Sequence, residues 1–301
     1  MILAPDRCTV LTAREGVRQR YRPLTHSGER STSHVSSMLD HTFIHLATIG
    51  PRTELNLWRE GILTWDDLER HLERWPISSV RRRLLTDDLA ASKRNRDRAA
   101  YFHDRLPAAE RWRLYREFQH SCAFLDIETT GTNAYGHDIT VIGLYDGKRM
   151  YQFVYGENLE EFEDAMESFD LLVTFNGTLF DLPFISTYFR TFRFHQAHID
   201  LRFVLKRLGY RGGLKAIEPL LGVTREPEIR GLGGYDAVIL WHQHLNGDHD
   251  ALPRLLLYNR ADVVNLKLLM ERAWQELHRN LELAATRELP EPTPSRRRHR
   301  L

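Results

Sequence analysis

Apolar positions along this chain change their rhythm twice. From residue 38 to about 118 they recur at helical intervals. Beyond Ser121 they gather into short runs of strand length, and from Leu201 to about residue 283 helical spacing returns. In the first region Phe43-Ile44-His45-Leu46 precedes a turn at Thr48-Ile49-Gly50-Pro51, and residues 53–60 are predicted as a short helix ended by Gly61. Thr64 is placed to cap a second helix over 65–73, with Asp66 and Asp67 in its first turn. Residues 77–118 read as helical and heavily charged, with Arg81-Arg82-Arg83 and Arg111-Trp112-Arg113 as basic clusters.

In the second region Ala123-Phe124-Leu125-Asp126-Ile127 is a short apolar strand followed by the turn chemistry of Thr129-Thr130-Gly131-Thr132-Asn133. Residues 139–145 and 150–155 make two more strands around Asp146-Gly147, and their short connection predicts an antiparallel hairpin. An amphipathic helix is expected over 159–169, a fourth strand over 171–175, and a fifth ending at Ile199. Three strands, a helix, a strand and then helices describe an α/β fold with a mixed sheet of about five strands, preceded by a small helical region. The expected organisation is a disordered, variable N-terminus (1–37), the helical region (38–118), the α/β domain (120–283) and a Pro- and Arg-rich tail (286–301).

Composition narrows the function. The chain has 301 residues, 42% of them apolar and 28% charged, which suits a soluble protein of two domains or of one domain with long flanks. Cys8 and Cys122 are the only cysteines, too few for a disulfide scaffold or a four-cysteine zinc site, so a reducing, cytoplasmic setting is expected. No apolar run approaches the roughly 18 residues that span a bilayer, and no membrane association is expected. The net charge of +1 is uneven. Residues 1–120 carry 21 Lys/Arg against 16 Asp/Glu, residues 121–285 carry 16 against 23, and residues 286–301 carry 5 against 2. A basic front and an acidic middle suit a nucleic-acid enzyme whose carboxylates hold cations, although solvated charged faces give the same count.

Three carboxylate-bearing segments are the candidate chemistry. In Asp126-Ile127-Glu128 the two acids lie two apart on a strand and share a face, where they repel unless a cation bridges them. In Phe175-Asn176-Gly177-Thr178-Leu179-Phe180-Asp181-Leu182-Pro183-Phe184, Asp181 opens a helix; taken alone it reads equally as a helix N-cap. In Tyr258-Asn259-Arg260-Ala261-Asp262, the spacing of four stacks Tyr258 above Asp262 on a helix, with Asp262 at the margin of the stripe formed by Leu252, Leu255, Leu256, Val263, Leu266 and Met270. Trp241-His242-Gln243-His244 with His249 lacks the second ligand cluster of a structural zinc site.

Taken in order, Asp-x-Glu, Asn-x-x-x-Phe-Asp and Tyr-x-x-x-Asp resemble the DEDDy branch of the RNase H-like exonucleases. The second segment is similar to the proofreading domain of B-family DNA polymerases, and the whole to the stand-alone YprB-type exonucleases. The resemblance covers roughly residues 120–275 and includes His198-Ile199-Asp200-Leu201 and Gly213-Leu214-Lys215-Ala216-Ile217. It implies a metal-dependent 3′-to-5′ exonuclease acting on single-stranded or frayed nucleic-acid ends, DNA or RNA. Asp126, Glu128, Asp181 and Asp262 would hold two Mg²⁺ or Mn²⁺ ions, and Tyr258 would orient the attacking water. Thr129, Asn176 and Phe180 become candidate substrate contacts, against turn or core roles for Asn176 and Phe180. Asp200 reads as structural. The segment 46–58 resembles half of a helix-hairpin-helix, and the Arg clusters would add salt-sensitive affinity if they faced the substrate. A non-catalytic nucleic-acid-binding module and a structure-selective endonuclease remain the alternatives.

Overall fold

The computed structural model describes residues 37–286, so the expectations for most of 1–37 and for 287–301 lie outside the described residues. Capping chemistry sets the first two helices. Helix α1, Pro51–Arg59, begins with Pro51 at its first position and is closed by Glu60 and by Gly61, whose φ of +80° is the left-handed conformation that favours glycine. Helix α2, Trp65–Leu72, starts at Thr64, whose hydroxyl oxygen accepts from the Asp67 N–H while the Asp67 carboxylate accepts from the Thr64 N–H.

The region expected to be helical over 77–118 is interrupted. Helix α3, Ser79–Arg94, and α4, Ala99–His103, are followed after Pro107 by a 3₁₀ turn, Ala108–Arg113, and by α5, Leu114–Phe118. Not all of its arginines face solvent. Arg113 is 2% exposed and donates to both oxygens of buried Glu54 at 2.9 Å, while its Nε donates to Glu110 at 2.9 Å. Glu54 also accepts from the Phe43 and Ile44 N–H groups, at 2.7 and 3.0 Å. These bonds draw α1, the 3₁₀ turn and the chain before α1 around one charge pair. The Arg111-Trp112-Arg113 cluster is therefore not a uniformly solvated basic face, because Arg113 is spent on internal carboxylates.

The sheet forms from β1, Cys122–Thr129, β2, Ile139–Tyr145, β3, Met150–Val154, β4, Leu171–Thr174, and β5, Ala197–Asp200, in the order β3-β2-β1-β4-β5. The first three strands pair antiparallel and β4 and β5 add parallel to β1, which is the expected mixed five-stranded sheet. Helix α6, Glu161–Met166, is shorter than the 159–169 stretch that its pattern suggests. Turns occupy its flanks, because the chain leaving β3 is tied back by Asn158, which accepts from the Val154 N–H at 2.8 Å, and the chain entering β4 by the Asp170 N–H, which donates to the Ser121 carbonyl at 3.0 Å. Five helices complete the fold: α7, Asp181–Tyr188, α8, Leu201–Arg207, α9, Leu214–Ile217, α10, Gly234–Leu245, and α11, Ala251–Thr286. Among the described residues no helix is long and apolar enough to cross a membrane.

The two faces of the sheet bury different partners, as the pleat of β1 requires. Ala123, Leu125 and Ile127 pack with α6 and α7 through Phe162, Met166, Phe184 and Ile185. Cys122 and Phe124 point the other way, into a core shared by α8, α11 and the residues of α1 to α5. The apolar side chains of the helical region are thus continuous with one face of the sheet. Helix α11 reaches that face because β2 offers no side chain at Gly143: a Cβ there would lie 2.3 Å from Asn259 Oδ1 and 2.6 Å from a Val263 methyl.

Two stability measurements probe this packing. Arg113→Ala leaves buried Glu54 without its cation, Glu110 keeping Arg207, and is expected to cost about 3–5 kcal/mol in urea unfolding. Gly143→Ala is expected to cost about 1–3 kcal/mol by lifting α11 from the sheet; a wild-type midpoint in either variant contradicts the assignment.

Candidate active site

The pleat that sorts the β1 side chains also builds the site. Asp126 and Glu128 fall on the same face as Cys122 and Phe124, but nearer the end of the strand, paired across β2 with Gly143 and Val141. There the α11 residues Tyr258, Asn259 and Asp262 are all buried. The Asn259 amide donates to the Asp126 carbonyl at 3.4 Å, which ties this helix to this strand. Asp262, expected at the margin of an apolar stripe, is 3% exposed. Side-chain oxygens of Asp126, Glu128 and Asp262 come within 4.8 Å of one another, a group able to hold a metal ion.

Asp181 joins this centre from the other face. It is the first residue of α7, Phe180 takes the cap position without a side-chain bond, and Asp181 Oδ1 accepts from the Ile127 N–H at 3.1 Å. The N-cap alternative therefore does not describe it: its carboxylate turns to the strand carrying Asp126 and Glu128. It stands outside the group of three within 4.8 Å, yet its charge is felt at Asp126.

Burial and crowding oppose negative charge here. The Asp126 carboxyl is pushed well above the usual range by burial and then by Asp262, Asp181 and Glu128. Glu128 is raised by burial and by Asp262, partly offset by Lys215 and Asn259. Burial lifts Asp181 to about 7 despite the backbone N–H groups that favour its charged form. Glu128 Oε1 is buried without a hydrogen-bond partner among the described residues.

Asp262 is compensated by two cations. Lys215 Nζ lies 2.7 Å from Oδ2, and Arg225 pairs with Oδ1. Arg225 is itself gripped by both oxygens of buried Glu218, at 2.6 and 2.7 Å, and Asn265 donates to Glu218 at 2.9 Å. Burial opposes the charge on Arg225, but the Glu218 and Asp262 carboxylates outweigh it and hold its pKa above the ordinary value. Tyr258 sits between these groups, 1% exposed, with Lys215 Nζ 4.5 Å and the Arg225 guanidinium 5.7 Å from its ring centroid. Its hydroxyl is buried without a partner among the described residues, and burial followed by the Asp262, Glu128 and Asp126 charges raises its pKa.

Of the remaining candidates only Asn176 lines the cleft beside the carboxylates. Thr129 ends β1 and its hydroxyl donates to the Gly131 carbonyl at 2.6 Å. Asn176 adopts φ +68° in the turn after β4, a conformation that Asn tolerates better than most residues. Asp200, at the end of β5, holds that turn by accepting from the Asn176 and Thr178 N–H groups at 2.8 and 3.0 Å, which makes it structural. Phe180 packs against Phe184 with ring centroids 5.6 Å apart. Asn176 also accepts from Arg202 and lines a cleft of about 580 Å³ together with Asp126, Asp262 and Lys215. Lys215, Glu218, Arg225 and Asn259 carried no assigned role in the sequence. Lys215 lies in a segment of the resemblance, and Asn259 adjoins Tyr258, but the Arg225–Glu218 pair, seven residues apart in irregular chain, has no periodic signal.

A family model of the RNase H superfamily matches residues 123–274. Among solved structures, the family B DNA polymerase of the hyperthermophilic archaeon Pyrobaculum calidifontis is 16% identical over 55% of this chain and 25% of its own, with a TM-score of 0.43. The chain thus spans a quarter of that polymerase's length. Brucella melitensis NrnC bound to pGG is 23% identical over 57% of this chain and 81% of its own, with a TM-score of 0.39, and the same protein with bound Mg²⁺ gives 20% and 0.37. The comparison with curated proteins gives no match.

A pH dependence follows from the raised carboxyls. In the unfolded chain they titrate at ordinary values, so the folded protein holds extra protons between those values and the raised ones. Their stabilising contribution is full below the ordinary range and is lost as pH rises through the raised values. In metal-free buffer the thermal midpoint of the wild type is expected to fall more steeply between about pH 5 and about pH 8 than that of Asp126→Asn, which removes one charge from the cluster. Parallel curves contradict this.

Proposed function

The chain belongs to the RNase H superfamily, and on that premise we propose that it is a metal-dependent 3′-to-5′ exonuclease acting on single-stranded or frayed nucleic-acid ends. The observation that carries the reading is the approach of Asp126, Glu128 and Asp262 oxygens to within 4.8 Å of one another, with Glu128 and Asp262 buried and Asp126 half-buried at the cleft. Such a cluster is costly as a structural device, since each charge raises the price of the others. The donor set is entirely carboxylate oxygen, which suits hard cations such as Mg²⁺ or Mn²⁺, and the unpartnered Glu128 Oε1 fits a ligand to one.

Asp126, Glu128 and Asp262 would hold such ions, with Asp181 completing the shell from the opposite face. Bound divalent ions supply an activated water and stabilise the charge that develops on the leaving oxygen. The chain's own residues orient what reacts. The Ile127 N–H steers Asp181 toward β1. Lys215 and Arg225 hold Asp262 in place and offset its charge. Tyr258, with its raised pKa, keeps its proton at neutral pH, so its hydroxyl positions water by hydrogen bonding and does not act as a base. Asn176, in the turn after β4, lines the cleft beside Asp126 and Asp262 and would meet an entering strand end, with Thr129 and Phe180 as further proposed contacts.

The assay uses a 5′-labelled single strand with Mg²⁺ or Mn²⁺. A ladder of shortening products is expected, lost on chelation and restored by added metal. Asp126→Ala and Asp262→Ala are expected to abolish turnover with the circular dichroism unchanged, and Tyr258→Phe to lower kcat by about 10²-fold. Wild-type rates in an aspartate variant overturn the reading. Internal cuts in a circular substrate would favour an endonuclease, and binding without turnover a binding module.

A further inference from the structure

The cleft beside the carboxylates has a second wall that the reaction chemistry leaves unused. Helix α8 turns Leu201, Val204 and Leu205 into the core and leaves Arg202, Phe203 and Lys206 exposed. Positions 203 and 206 are neighbours on the helix surface, as are 202 and 206. Tyr210 and Arg211 continue this wall beyond the helix, while Phe175 and Leu179 line the cleft from the β4 side. Phe203 is 48% exposed at the cleft. Among the described residues neither Lys206 nor Arg211 has an ion-pair partner, whereas Arg202 is engaged by Asn176.

The wall is held firmly. The last residue of α8, Arg207, donates to the Ala109 carbonyl at 2.7 Å and pairs with Glu110, which also binds buried Arg113. One end of α8 is thereby fixed to the helical region, and the other is capped by Asp200, which accepts from the Arg202 N–H at 3.1 Å.

We propose that Phe203, Lys206 and Arg211 form a subsite for single-stranded nucleic acid leading into the carboxylate centre. A base would stack on the Phe203 ring and backbone phosphates would rest on the two cations; the direction of the strand rests on the exonuclease reading, whereas the binding does not. An exposed ring beside unpaired cations matches a chain in which bases and phosphates alternate. In a duplex the base faces are already stacked on one another, so the ring has nothing to take. The cations also supply the positive charge that a phosphate backbone needs so close to Asp126 and Asp262. The proposed contacts are to a base face and to phosphates, neither of which carries sequence, so binding is expected to be indifferent to sequence.

The test measures fluorescence anisotropy of the full chain, in EDTA, with a labelled DNA 12-mer, the RNA 12-mer of the same sequence and a blunt DNA duplex. Phe203→Ala is expected to weaken binding of at least one single strand by about tenfold, and Phe203→Trp to restore it. Lys206→Ala and Arg211→Ala should each reduce the slope of log affinity against log salt by about 0.7. Hydrolysis is read separately, with Mn²⁺ and the 5′-labelled single strand. Wild-type binding of both single strands by Phe203→Ala, or an equal loss on the duplex, overturns the subsite. Variant-sensitive binding without hydrolysis of any substrate supports the subsite and overturns the exonuclease reading instead.

Discussion

Mutual repulsion among Asp126, Glu128 and Asp262 is the constraint around which this molecule is arranged. Left to themselves, buried like charges would separate or take up protons, and burial together with their neighbours does push the first two toward the protonated form. Three features oppose separation. The β1 pleat fixes two of the acids on one face, Gly143 lets α11 dock closely enough to add the third, and Lys215 with Arg225 carries positive charge to Asp262. Arg225 could not sit there alone, and Glu218, satisfied by Arg225 and Asn265, anchors it.

The topology explains why the acids meet at this end of the sheet. β1, β4 and β5 run parallel, so Asp126 to Thr129, the Asn176 turn and Asp200 all emerge at the same edge, where open α/β sheets bind ligands. Asp200 uses its carboxylate on the turn that presents Asn176, and Asp181 arrives from the first turn of the helix after it. The centre is thus approached from both faces, by α11 on one and α7 on the other.

The helical region participates in this architecture. Its apolar residues share a core with α8 and α11, and its buried Arg113, Glu54 and Glu110 extend through Arg207 to the helix that forms the outer wall of the cleft. An arginine read from local sequence as part of a basic surface thereby serves as an internal strut. The distinction depends on two glutamates, one of them 59 residues away in the chain.

Local chemistry determined much by itself. Period-two alternation put Asp126 and Glu128 on one face, Thr64 and Asp67 wrote a helix start, Gly61 a helix stop, and Asp146-Gly147 a hairpin. Each depends on neighbours a few residues apart, where backbone geometry leaves few choices. Tertiary structure alone decided which isolated acid was a cap and which faced the centre. Asp181 in its own segment suits an N-cap, and only the Ile127 N–H, 54 residues away, turns it inward. The same holds for Lys215, Arg225 and Glu218: electrostatic pairing acts through space, and no spacing in a linear chain encodes which distant charge will arrive.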